Sequence, residues 1–260
     1  MQKRHQPAIA FFAIGMIGLG VLALVYGDFA MGWQPVAAWV PGRTALAYGS
    51  GVLMLVCGAG LLLRASVAWA VRILFPYLVV WTLLKVPALF VAPLVEGVWL
   101  GLGELVVLLC GGWILFARFG ELHEVVWLKW FASERSARAA QIAMGIWLVP
   151  IGLSHFFYTQ ATVDLIPKWM PFPTYFAWLT GAGHIAAGLA LTFSVWPAIA
   201  AMAEAGMLTV ITLLVWAPAI AAAPKGRLPW TAFFISWTIS AAVWVMAQEI
   251  AARKCGRPAS

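Results

Sequence analysis

The sequence reads as an all-α protein, a polytopic membrane helical bundle of about eight transmembrane helices in two parallel four-helix repeats. Three observations predict this: an apolar composition, eight stretches of span length, and an ordered set of Trp, Pro and Gly that recurs halfway along. Of 260 residues, 64% are hydrophobic and 10% charged, and the mean hydropathy is +0.94. A soluble domain is about half apolar and about a quarter charged. Such a surplus suits a chain whose outer surface faces lipid and needs no polar coat. The 16 Trp agree, because Trp favours the headgroup level of a bilayer. The net charge of +7 does not indicate nucleic acid. The Lys and Arg residues form no face between aromatic platforms and sit instead near helix ends.

A span needs about 20 mostly apolar residues. Helices are expected near 8–27, 43–63, 67–90, 97–118, 138–158, 174–193, 196–222 and 229–250. The basic start MQKRHQP runs directly into the first. No A-x-A site with a polar mature region follows, so that helix is expected to stay uncleaved. Pro35 and Pro41 interrupt the next loop, and Arg64 to Ser66 make a short turn. Pro87 and Pro93 are expected to close the third helix. Pro167, Pro171 and Pro173 break the chain after the fifth, and Pro218, Pro224 and Pro229 after the seventh. Lys3, Arg4, Arg64, Arg72, Arg118, Lys129, Arg135, Arg138 and Arg253 collect on one side, with fewer basic residues opposite. The positive-inside rule makes that side cytoplasmic, with both termini inside a plasma or inner membrane. The polar stretch 119–137 reads either as an amphipathic surface helix or as a solvated connector. No CxxC pair exists, and Cys57 and Cys110 fall inside apolar spans as small fillers.

The halves resemble each other. GLGVLALVYGDF (Gly18 to Phe29) matches GIWLVPIGLSHF (Gly145 to Phe156) in length and pattern. Beyond it Trp39 pairs with Trp169, Pro41 with Pro171, Gly51 with Gly181 and Gly58 with Gly188. Pro87 then pairs with Pro218, Pro93 with Pro224, Trp99 with Trp230 and Trp113 with Trp244. Two units follow, 1–118 and 138–260, joined by a cytoplasmic linker 119–137. Four crossings per unit give both the same orientation. The Trp-x-Pro segments are too short to span and are expected to be interfacial or re-entrant.

Gly152, His155 and Phe156, then Pro167, Trp169 and Pro171, then Leu179, Thr180, Gly181 and Gly188 form an ordered set over about 100 residues. In this the second unit resembles the DoxX-like membrane proteins, and the first is a more degenerate copy. The family often has Glu where this chain has His184 and, in the first unit, Met54. Its His-x-Pro reads Lys85 and Pro87 here, and Trp216 and Pro218. The resemblance implies a four-helix unit linked to quinone or thiosulfate redox systems, or to maturation of redox enzymes. Quinone is the cofactor it suggests, with a redox protein as partner beside the lipid bilayer.

Ionisable groups within a membrane are costly and need a reason. His184 lies ten residues before the turn near Ser194, and Glu204 ten after it. At about 1.5 Å per residue both sit roughly 15 Å from one surface, near the midplane. A His184–Glu204 pair would lower the cost of each, as a proton relay, a ligand site or a structural bond. His155 is expected about 10 Å higher, too far to share a site with His184. It is expected instead to cap the outer mouth with Asp164 or Lys168, as its counterpart Asp28 does in the first unit. Lys168 beside Trp169 also reads as an interfacial anchor. Glu104, two turns into the fourth helix, is a candidate buried acid that could pair with Lys85 or Asp28. No metal-binding spacing, Walker A loop, dinucleotide fingerprint, H-E-x-x-H or nucleophile elbow is present. Three function classes remain: a redox-associated component, a small-molecule or ion transporter, and an assembly subunit without its own activity.

Overall fold

A run of about 20 apolar residues in lipid must satisfy its own backbone, and the helix is the single-segment solution. The computed structural model describes residues 7–122 and 126–256, and among these it is all-helical. Eight helices are long and apolar enough to cross a membrane, which makes the protein a multi-pass membrane protein. The first half supplies α1 (Pro7–Tyr26), α2 (Arg43–Leu62), α3 (Val67–Val91) and α4 (Glu96–Phe119). The second supplies α5 (Glu134–Phe157), the short α6 (Thr159–Leu165), α7 (Pro173–Phe193) and α8 (Pro197–Ile211). A π-helical turn (Thr212–Trp216) and α9 (Ala217–Ala222) continue α8 as one rod, and α10 (Arg227–Lys254) closes the chain.

Several boundaries differ from expectation for physical reasons. Pro87 does not end α3, which runs on to Val91 with Pro76 and Pro87 inside it. A membrane helix tolerates proline where neighbouring groups or a local adjustment of the helix satisfy the freed carbonyl. Pro218 likewise opens α9 rather than breaking the rod. The stretch 119–137 is not one amphipathic helix. A 3-10 turn occupies Val126–Leu128, and α5 already begins at Glu134, where the Ser133 side chain accepts from Ser136 N. Residues 123–125 of that stretch lie outside the described residues. Trp39 and Trp169 are exposed, so the Trp-x-Pro segments lie at the protein surface.

The helices pack in the same order in both halves. α1 lies against α2 and α10, while α5 lies against α7 and α4. α3 lies against α4, and α8 against α10. α4 and α10 meet at the centre, where Gly111 faces Ala242 so closely that a Cβ at 111 would sit 2.6 Å from the Ala242 Cα. These residues are 131 apart, as are Trp99 and Trp230, whose indoles donate alike to Pro93 O (2.8 Å) and Pro224 O (2.9 Å).

At the end where α4 and α10 finish, Arg118 is paired with Glu249, and Arg253 donates to Gln141 (2.7 Å). Gln141 in turn donates to Leu191 O (2.9 Å) and to Ser194 Oγ (3.1 Å). That bond holds the tight α7–α8 turn, in which Ser194 and Trp196 both adopt positive φ. At the opposite, loop end Asp28 binds Arg43 and Arg227.

Candidate functional site

The interiors of the two halves differ. In the first, the chain after α1 folds inward and fills the space. Phe29, Trp33 and Gln34 are buried there, and Gln34 Nε2 donates to Ser50 Oγ and Tyr77 OH, both at 2.8 Å. In the second half the corresponding stretch forms α6 on the surface. A cleft of about 730 Å³ is left among α4, α5, α7, the α8 rod and α10. Its walls are mostly apolar. The polar groups that line it include Glu104, His155, His184, Thr180 and Tyr158.

His184 and Glu204 face each other between the antiparallel α7 and α8. His184 Nδ1 lies 2.6 Å from Glu204 Oε1, and the residues are 2% and 1% exposed. Equal depth from the α7–α8 turn makes this contact possible. One proton is held between the two atoms, on nitrogen or on oxygen. The other carboxyl oxygen, Oε2, is buried with no hydrogen-bond partner in the protein.

His155 stands beside this pair and not at an outer mouth, with its ring centroid 5.3 Å from that of His184. Counting residues along the axes overstates their separation. Each Cα–Cβ bond leans toward its own helix N-terminus. On antiparallel helices the two imidazoles therefore lean toward each other. Close packing of α5 on α7 completes the approach, since a Cβ at Gly152 would lie 2.6 Å from Gly181 O. His155 Nδ1 lies 3.1 Å from Thr180 Oγ1. The Thr180 hydroxyl also has the carbonyls of Phe176 and Ala177 within reach (both 2.9 Å). With its proton on either carbonyl, Thr180 accepts from His155 Nδ1–H and His155 Nε2 is an acceptor; with the proton directed to Nδ1, the tautomer is reversed.

The other candidates disperse. Asp164 is exposed and accepts from Gln160 (2.8 Å) on α6, and Lys168 is exposed, so neither caps His155. Asp28 is taken by the two arginines and Phe29 N, and so is not a partner of Glu104. Lys85 Nζ donates to Gly101 O (3.0 Å). Glu104 lines the cleft from α4.

Sequence reasoning missed three features of the wall. Thr180 is one turn before His184 on the same face, a spacing that could have found it. Tyr158 OH accepts from Gly97 N (3.0 Å) and keeps its own proton to donate. The π-helical turn brings Trp216 to the cleft, where its indole donates to Ser236 Oγ (3.1 Å). Such turns recur at functional sites and carry no clear sequence signal. Among the described residues, no three His, Cys, Asp or Glu come together in a way that could hold a metal ion. Comparisons with known proteins find no matching family model, no matching curated protein and no matching solved structure.

Proposed function

We propose that the protein is a redox-associated membrane component that binds a quinone-like ring in this cleft and exchanges protons with it. One observation carries the reading. Two imidazoles, His155 and His184, stand with ring centroids 5.3 Å apart at the wall of an apolar cleft, and the second is bonded behind that wall to the buried carboxyl of Glu204. Small-molecule sites are concave, about 300–1,000 Å³ and mostly apolar with a few convergent polar groups. A flat ring with carbonyl or hydroxyl edges matches that lining. With Nδ1 protonated, His155 Nε2 offers an acceptor for a ring hydroxyl, and the His184–Glu204 bond stores or releases the proton. Glu104 and Tyr158 offer polar contacts elsewhere on the wall. A bound quinone supplies the electron chemistry, and a partner redox protein is the source or sink of the electrons. The resemblance to DoxX-like proteins points the same way. The reading includes two tandem units, 1–118 and 138–260, in one orientation, with both termini on the cytoplasmic face. The matched helix contacts and the basic residues support it.

The test is titration of the purified protein with a short-chain benzoquinone and its quinol, following tryptophan quenching. Binding should weaken roughly tenfold or more in His184→Ala and Glu204→Gln, each losing a charge-assisted hydrogen bond. Unchanged binding in both folded variants overturns the site. Transport is the second reading, favoured by the partnerless Glu204 Oε2 between antiparallel helices. Proton flux in proteoliposomes that vanishes in Glu204→Gln, without any quinone affinity, would select it.

A further inference from the structure

A second groove lies between α4 and α5, apart from the cleft. It measures about 490 Å³ and is lined by Pro93, Trp99, Trp147, Pro150, Leu153 and Phe157. The Trp99 and Trp147 rings stack at 6.1 Å and 24°. The Trp99 indole proton is spent on Pro93 O, which fixes the ring. One charged side chain belongs to this apolar wall: Glu96, in the first turn of α4. It is 9% exposed, and both of its carboxyl oxygens are buried with no hydrogen-bond partner in the protein. Buried carboxyl oxygens are normally bonded, so this pair calls for donors from outside the chain.

The groove has a counterpart that shows what the frame itself requires. Between α1 and α10 a groove of about 670 Å³ is lined by Pro224, Trp230 and Phe234, with the same indole-to-proline bond. The residue 131 positions after Glu96 is Arg227, and it is satisfied within the protein by Asp28 and Phe29 O. The frame thus forms with the opposite charge. Glu96 is not needed to build it.

The surroundings select the occupant. Leu94 and Phe157 at the rim are 98% and 67% exposed, as residues facing lipid are. Glu96 opens its helix at the loop end, the level of lipid headgroups. Two carboxyl oxygens without donors favour a head group rich in N–H. A primary ammonium brings three donors and a quaternary one brings none. Stacked indoles also attract a cation over their faces.

We propose that the α4–α5 groove binds a phospholipid with a primary-amine head group, its ammonium bonded to Glu96 and its acyl chain along Trp147, Pro150 and Leu153. This site stands independently of the cleft. The test is native mass spectrometry of the full chain, incubated with phosphatidylethanolamine, phosphatidylcholine and phosphatidylglycerol of matched acyl chains. The wild type should retain phosphatidylethanolamine about tenfold over the other two. Glu96→Gln should lose that preference, and Glu96→Lys should shift it to phosphatidylglycerol. If Glu96→Gln does not fold, Trp147→Leu probes the same groove and should also lose the preference. Equal retention of the three lipids by the wild type, or an unchanged preference in Glu96→Gln, overturns the proposal. So does binding of soluble O-phosphoethanolamine as strong as that of the lipid.

Discussion

Replacing Gly152 by Ala would force α5 and α7 apart at the point where His155 and His184 approach. The added Cβ would lie 2.6 Å from Gly181 O, 2.7 Å from an Ile185 side-chain carbon and 3.0 Å from His184 Cβ. Ordinary contact begins at 3.4 Å, so the helices must separate by about 0.8 Å or the backbone must shift by as much. Gly188 meets Gly145 O in the same way seven residues along, so α7 cannot tilt freely to relieve the clash. Overpacking of this size costs about 1–3 kcal/mol. For a chain of this length that corresponds to roughly 2–12 °C in melting temperature. Gly206→Ala is the control: its Cβ would meet nothing within 4 Å, and a helical alanine stabilises by about 0.5–1 kcal/mol relative to glycine. The assay is thermal unfolding in detergent, read by loss of the monodisperse size-exclusion peak. Gly152→Ala should melt several degrees lower, and Gly206→Ala at or above wild type. Equal melting temperatures for the two variants would refute the close packing on which the His155–His184 approach depends.

Asp28 and the Arg118–Glu249 pair give two further predictions. Burial alone would raise the Asp28 carboxyl, but bonds from Arg227, Phe29 N and Arg43 outweigh it and hold it below the usual carboxylate range. A depressed carboxyl stabilises fully above its unfolded value of about 3.9, and the contribution fades as pH falls through the lower folded value. The wild type should therefore lose thermal stability more steeply than Asp28→Asn below about pH 4. Parallel pH curves would contradict this. At the other end, the Arg118 and Glu249 side chains are 13% and 5% exposed. Arg118→Ala leaves Glu249 with Arg253 alone, 3.4 Å away, and should cost about 3 kcal/mol, whereas Arg118→Met with Glu249→Leu should cost far less. Equal losses in the single and double variants would mean that packing, not charge, is what the pair contributes.

The spans were legible because lipid leaves an apolar run few alternatives, and α2 starts where its loop prolines end. The depth of His184 and Glu204 could be counted from one short turn. The partner of His155 could not, because residue counting places Cα atoms while the rings extend from them in opposite senses. The inward fold of Phe29 to Gln34 was also hidden. Trp33 is 3% exposed and Trp39 82% exposed, although both stand in the same proline-marked loop. Only tertiary packing separates them. The orphaned carboxyl of Glu96 was invisible for a related reason, since a first-turn acid normally reads as a solvated complement to the helix dipole.

The cleft draws its walls from both halves of the polypeptide. Leu100 and Glu104 come from α4, ahead of the linker, and every other lining residue comes after it. A second half made alone would keep its imidazoles but lack one side of their enclosure. Two separate chains would have to meet in the bilayer in equal numbers to restore it. Continuity of the backbone through residues 119–137 settles that stoichiometry at synthesis, and holds the acid of one half at a fixed address in the cleft that the histidines of the other line.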